Sequence, residues 1–103
     1  MVTAGEIYLV DGIELGLCTD ARPCLVLQIF KDTALICAIS AQLELAEGHE
    51  ITLLKSDSEF PASGLKKDSF IPDVPERDVK LSALKKSSFL GRAEGEFKRK
   101  VER

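Results

Sequence analysis

Pro23-Cys24-Leu25-Val26-Leu27-Gln28-Ile29-Phe30, Lys31-Asp32-Thr33, Ala34-Leu35-Ile36-Cys37-Ala38-Ile39-Ser40 is a pair of apolar runs divided by a short polar triplet. Short runs rich in β-branched residues, bounded by turn residues, read as strands. Their near-continuous apolar character implies burial on both faces rather than on one. The triplet is long enough only to reverse the chain. The stretch therefore predicts an antiparallel hairpin at the centre of a mainly β domain.

Upstream, Glu6 to Val10 alternates as a further strand, with Ile7 and Leu9 on one face and Tyr8 and Val10 on the other. Between this strand and the hairpin lie the eleven residues Asp11 to Ala21, with Gly12, Gly16, Asp11 and Asp20 and little periodicity. They read as a long loop, of the kind that often carries function. Downstream, Glu50 to Leu54 reads as a short strand and Ser56 to Lys67, with Pro61 and Gly64, as a loop. Ser69 to Ile71 resumes a strand that Pro72 and Pro75 push to an edge, and Val79 to Leu84 reads as a last strand. Leu90, Ala93, Phe97 and Val101, spaced three, four and four apart, predict a C-terminal helix weakened by Gly91 and Gly95. The sum is a small antiparallel barrel with a short C-terminal helix, in a single domain over residues 1–103.

The 103 residues carry 45% hydrophobic and 30% charged side chains, which suits one soluble globular core. The apolar runs are too short to cross a bilayer, and no basic segment leads into an apolar one near the N-terminus. Cys18, Cys24 and Cys37 are odd in number and lack a Cys-x-x-Cys pair, so neither a disulfide framework nor a zinc knuckle is indicated. These features predict a cytoplasmic protein with no membrane association. The net charge of −3 divides unevenly along the chain. Residues 1–64 hold three basic groups against ten acidic, and residues 65–103 hold eleven basic against seven acidic. Global acidity disfavours nonspecific nucleic-acid binding, whereas a basic C-terminal third leaves room for a local patch.

His49 is the one histidine, which excludes a two-histidine acid–base pair within one chain. Phosphate-loop and dinucleotide fingerprints are absent. Arg22 closes the long loop just before a buried strand, and Pro23 holds it extended. Ser40 ends the partner strand. Pairing about the Lys31–Thr33 turn brings Arg22 and Ser40 to the same end of the sheet. An ion pair of Arg22 with Asp20 or Asp11 is the plain structural alternative.

In this order and spacing, several segments resemble the MazF/PemK toxins. That family opens with a Gly-Glu/Asp-Ile/Val-Tyr/Trp strand, as in Gly5-Glu6-Ile7-Tyr8, followed by an Arg-Pro-x-Leu-Val strand, as in Arg22-Pro23-Cys24-Leu25-Val26. A strand ending in Thr/Ser-x-Gln matches Ser40-Ala41-Gln42, and Ser-Gly-Leu-x-x-Asp-Ser-Val/Phe matches Ser63-Gly64-Leu65-Lys66-Lys67-Asp68-Ser69-Phe70. Leu90-Gly91-Arg92-Ala93-Glu94 is a weaker match to the family's closing segment. The resemblance implies an SH3-like barrel, a homodimer, cleavage of single-stranded RNA without metal or other cofactor, and neutralisation by an antitoxin peptide. It implies catalytic roles for Arg22 and Ser40, and RNA contacts from Asp20, Gln42, Lys66 and Lys67. Two segments depart from the pattern: Leu17 stands where the family's loop has glutamate, and Pro72-Asp73-Val74-Pro75-Glu76-Arg77 replaces its Asp-Gln-Ile/Val-Arg stretch. A dimer of this type that binds protein or RNA without cutting is the alternative, and an unrelated SH3-like scaffold is a third.

Overall fold

Alternation along the central strands decides which side chains meet. A computed structural model describes residues 2–11, 21–48, 50–72 and 76–101. Strands β1 (Glu6–Val10), β2 (Arg22–Ile29), β3 (Thr33–Ala38), β6 (Arg77–Lys80) and β7 (Ser88–Arg92) form one antiparallel sheet in the order β6-β3-β2-β1-β7. Successive residues of a strand point to opposite faces, and here both faces are covered. Tyr8, Val10, Cys24, Val26, Ala34 and Ile36 pack on one side with Val79 and Leu84. Ile7, Leu25, Cys37 and Ile39 pack on the other with Leu53, Ala93 and Phe97. The unbroken apolar runs of the central hairpin follow from this two-sided burial.

A β-bulge at Leu27 makes the two runs fit. Val26 faces Ile36 and Gln28 faces Leu35, so Leu27 is the extra residue. The shift turns Gln28 to solvent and returns Ile29 to the first core.

A second hairpin, β4 (Ile51–Leu53) and β5 (Ser69–Ile71), follows a 3₁₀ turn at Leu43–Leu45. It joins the main sheet through Ser40 and Phe70, whose N–H groups each donate to the other's carbonyl at 2.9 Å. Strands therefore wrap the second core on two sides, as in a small barrel. The mainly β, antiparallel class expected from the sequence is the observed one. No helix among the described residues is long and apolar enough to cross a membrane.

Among the described residues three short α-helices complete the structure and depart from the sequence expectation. Helix α1 (Phe60–Ser63) stands within the expected Ser56–Lys67 loop, with Pro61 in its first turn. The expected strand over Val79–Leu84 stops at Lys80, and helix α2 (Leu81–Lys86) follows. Its leading N–H, at Leu81, donates to the Asp32 carbonyl in the hairpin turn, and Leu84 is fully buried in the first core. The four-residue apolar stripe spans two elements: Leu90 lies in β7, and helix α3 begins only at Gly95 and runs to Val101. All four stripe residues still face the second core. Gly91 explains the break, because a Cβ there would lie 2.2 Å from the Ala62 carbonyl oxygen. The chain must pass α1 in extended form before it can turn into a helix. The expected loop over residues 11–21 lies mostly outside the described residues.

Candidate functional site at the Arg22–Ser40 end of the sheet

Arg22 is the first residue of β2, paired with Val10 of β1 and exposed to solvent. Across the hairpin, the Ile39 N–H donates to the Pro23 carbonyl at 2.9 Å, which extends the β2–β3 register to the level of Ser40. Alternation from Cys24 puts Arg22 on the side of the first core, and alternation from Ile36 puts Ser40 there too. The two residues share an end and a face of the sheet.

Ser40 is half-buried. Its backbone is held by Phe70, and its hydroxyl oxygen accepts the Gln42 N–H at 3.2 Å. That local bond fixes the start of the segment in which Gln42 is exposed.

The Ser63–Phe70 segment is ordered by its own polar residues. The buried Ser63 hydroxyl donates to the Phe60 carbonyl at 2.6 Å and accepts the Leu65 N–H at 3.1 Å. Gly64 adopts φ 73° under the Leu90 backbone, where a Cβ would meet the Leu90 carbonyl oxygen at 1.8 Å. The Asp68 carboxylate accepts the Lys55 N–H at 2.6 Å, and the Ser69 hydroxyl donates to the Lys67 carbonyl at 2.8 Å. Leu65 and Phe70 are drawn inward, and Lys66 and Lys67 are left exposed. Because Phe70 pairs with Ser40, the Ser63–Phe70 segment meets the main sheet at the end that bears Arg22. Of the expected RNA contacts, Gln42 follows Ser40 by two residues, and Lys66 and Lys67 stand exposed three to four residues before Phe70; Asp20 lies outside the described residues, as do Cys18 and His49.

Two carboxylates lie nearby in the sheet but on its other side. Asp11 continues β1 past Val10, and Glu76 precedes Arg77, which pairs with Ile36; alternation from Val10 and from Val79 turns both toward the side of the second core, away from Arg22 and Ser40. The place of Glu76 depends on the β3–β6 pairing between segments some forty residues apart. No local pattern announces such a pairing.

Other ionisable groups serve the core. Burial pushes the Cys24 thiol up to about 12 and the Cys37 thiol up to about 11, so neither is a nucleophile at neutral pH. Glu6 is almost fully buried, and its carboxylate accepts the Thr3 N–H at 2.7 Å and the Tyr8 hydroxyl at 3.0 Å. Arg92 stands 3.7 Å from it. Burial, reinforced by this carboxylate, raises Tyr8 to about 12. The acidic residue of the opening motif is thus structural. Among the described residues no group of three or more His, Cys, Asp or Glu side chains stands together as a metal site.

Compared with known proteins, the chain matches no family model and gives no significant match to a curated protein.

Proposed function

We propose that this protein is a MazF/PemK-like endoribonuclease acting on single-stranded RNA at the Arg22–Ser40 end of its sheet. The observation that carries the reading is the meeting of the motif segments. Gly5–Tyr8 enters the strand that pairs with Arg22–Val26, that strand pairs with the one leading to Ser40, and Ser40 pairs with Phe70 of the Ser63–Phe70 segment. Strand pairing thus joins segments separated by more than sixty residues in sequence, and alternation gives Arg22 and Ser40 one end and one face of the sheet.

Such a surface suits cleavage in which RNA supplies its own nucleophile. The ribose 2′-oxygen attacks the adjacent phosphorus as its proton leaves to a base. The bond to the 5′-oxygen breaks, and that oxygen takes up a proton. The products are a 2′,3′-cyclic phosphate and a 5′-hydroxyl. The protein must neutralise the crowded phosphate and move two protons, with no metal required. Arg22 clamps the phosphate oxygens, a role suited to a planar guanidinium with two parallel donors. Ser40 contributes a neutral hydrogen bond from the same face. The reading includes a homodimer and an acidic antitoxin-like peptide as partner.

One observation favours a second reading, a dimer that binds without cutting: Leu17 occupies the position of the family's loop glutamate. Incubating the purified protein with single-stranded RNA in excess chelator separates the two. Cleavage to cyclic-phosphate ends, abolished when the 2′-hydroxyls are removed, is the expected outcome. Intact RNA bound to the protein supports the second reading.

A further inference from the structure

Among the described residues, Phe89 is one of two large hydrophobic side chains left substantially exposed, at 50% of its surface, and it stands on β7 at the edge of the sheet. Its ring is held rather than loose. Tyr8, directly opposite on β1, meets it edge-on, with centroids 5.5 Å apart and planes at 71°. The Arg92 guanidinium lies over it at 5.7 Å from the centroid. Arg92 is in turn tethered by the buried Glu6 carboxylate at 3.7 Å, while its own side chain stays 58% exposed. An aromatic ring with fixed orientation, a cation at one face and half its surface in solvent is the construction of a base-stacking platform.

Its position agrees. Tyr8 belongs to the first core, so Phe89 lies on the same side of the sheet as Arg22. Arg22 faces Val10, two residues along β1 from Tyr8, on the strand beyond it. Strand geometry then separates the two Cα atoms by about 12 Å. That span is crossed by roughly one or two nucleotides of single strand.

We infer that Phe89, backed by Tyr8 and Arg92, stacks a nucleobase flanking the phosphate held by Arg22. The inference rests on the RNA reading above and adds a base subsite to it. Stacking of this kind tolerates any base, so Phe89 contributes affinity and positioning more than sequence choice.

The test is fluorescence anisotropy of the purified full chain with a short, fluorescein-labelled 2′-O-methyl RNA of mixed sequence, which cannot be cut. Phe89→Ala should weaken binding by about 5- to 100-fold, the range of one lost base–aromatic stack. Phe89→Trp should restore it. The salt dependence of binding should be unchanged in Phe89→Ala, because no charge is lost, and should flatten in Arg22→Ala. Being half exposed, Phe89 can be replaced without loss of the fold, which thermal unfolding checks. Wild-type affinity in Phe89→Ala alongside weakened binding in Arg22→Ala overturns the stacking role and leaves the RNA reading standing. A change of sedimentation in Phe89→Ala with unchanged RNA affinity also overturns it, by making Phe89 a contact between protein chains. Failure of the unmodified protein to bind the oligonucleotide at low salt brings down both.

Discussion

Cys24 and Cys37 sit on neighbouring strands, yet they face opposite cores. Their burial is readable from the apolar runs around them, and it has a measurable consequence. Each thiol, like the Tyr8 phenol, binds its proton more tightly in the folded chain than in the unfolded one. Between the ordinary thiol value of 9.0 and the folded values of about 11 and 12, the native state holds protons that the unfolded state has released. Stability is therefore fully present below pH 9 and declines as pH rises through that window. The midpoint of urea unfolding, followed from pH 7.5 to 11, should be level and then fall; a midpoint that rises above pH 9 contradicts the burial of these groups. Glu6 shows the limit of a residue-scale reading. Its acidity in the opening motif is plain in the sequence, but its use as an acceptor for Thr3, Tyr8 and Arg92 depends on β7 lying beside β1.

Elements stated by local pattern were legible, and elements set by backbone contact were not. The central hairpin follows from two unbroken apolar runs about a polar turn, and β1 from alternation, since nothing competes with strand pairing there. The stripe Leu90-Ala93-Phe97-Val101 has helical spacing and does face one core, yet its first member is in a strand. The close approach of Gly91 to α1 and of Gly64 to Leu90 overrides the local pattern. Likewise α2 begins where an N–H can reach the Asp32 carbonyl, a partner some fifty residues away. The two kinds of glycine can be told apart by substitution. Gly48 has φ 101° and open space around its missing Cβ, so Gly48→Ala should cost about 1–2 kcal/mol from backbone strain alone. Gly64→Ala adds a collision with the Leu90 carbonyl and should cost at least about 2 kcal/mol more than Gly48→Ala, as β7 and α1 are forced apart. Denaturant unfolding of the two variants compares them directly, and equal costs would mean that α1 and β7 are not packed as described.

Across the whole molecule, the basic groups of the last third stand at both sides of the sheet. Lys85 and Lys86 end α2, which packs on the first core, and Lys98, Arg99 and Lys100 lie in the last turn of α3, which packs on the second. The proposed acidic peptide partner would bind such groups with strong dependence on salt. Reversing Lys85 and Lys86, or Lys98 and Arg99, to glutamate should weaken binding of an acidic peptide and reduce its salt dependence in titration calorimetry. Unchanged affinity in both double variants assigns these lysines to solvent alone. The candidate site was partly legible for the same reason as the fold: Arg22 and Ser40 flank the hairpin that the sequence states clearly, whereas Phe89 arrives through a pairing with β1 that it does not. In the proposed reaction Arg22 supplies the charge that stabilises a phosphate under attack by its own ribose. The rate of cleavage of single-stranded RNA in excess chelator, by the unmodified protein and by Arg22→Ala, tests this. Cleavage should be metal-independent and fall by about a hundredfold or more in the variant, the scale of losing one pre-organised donor to transition-state charge, with the fold intact. Full activity in Arg22→Ala, or activity that disappears with chelator, would contradict it.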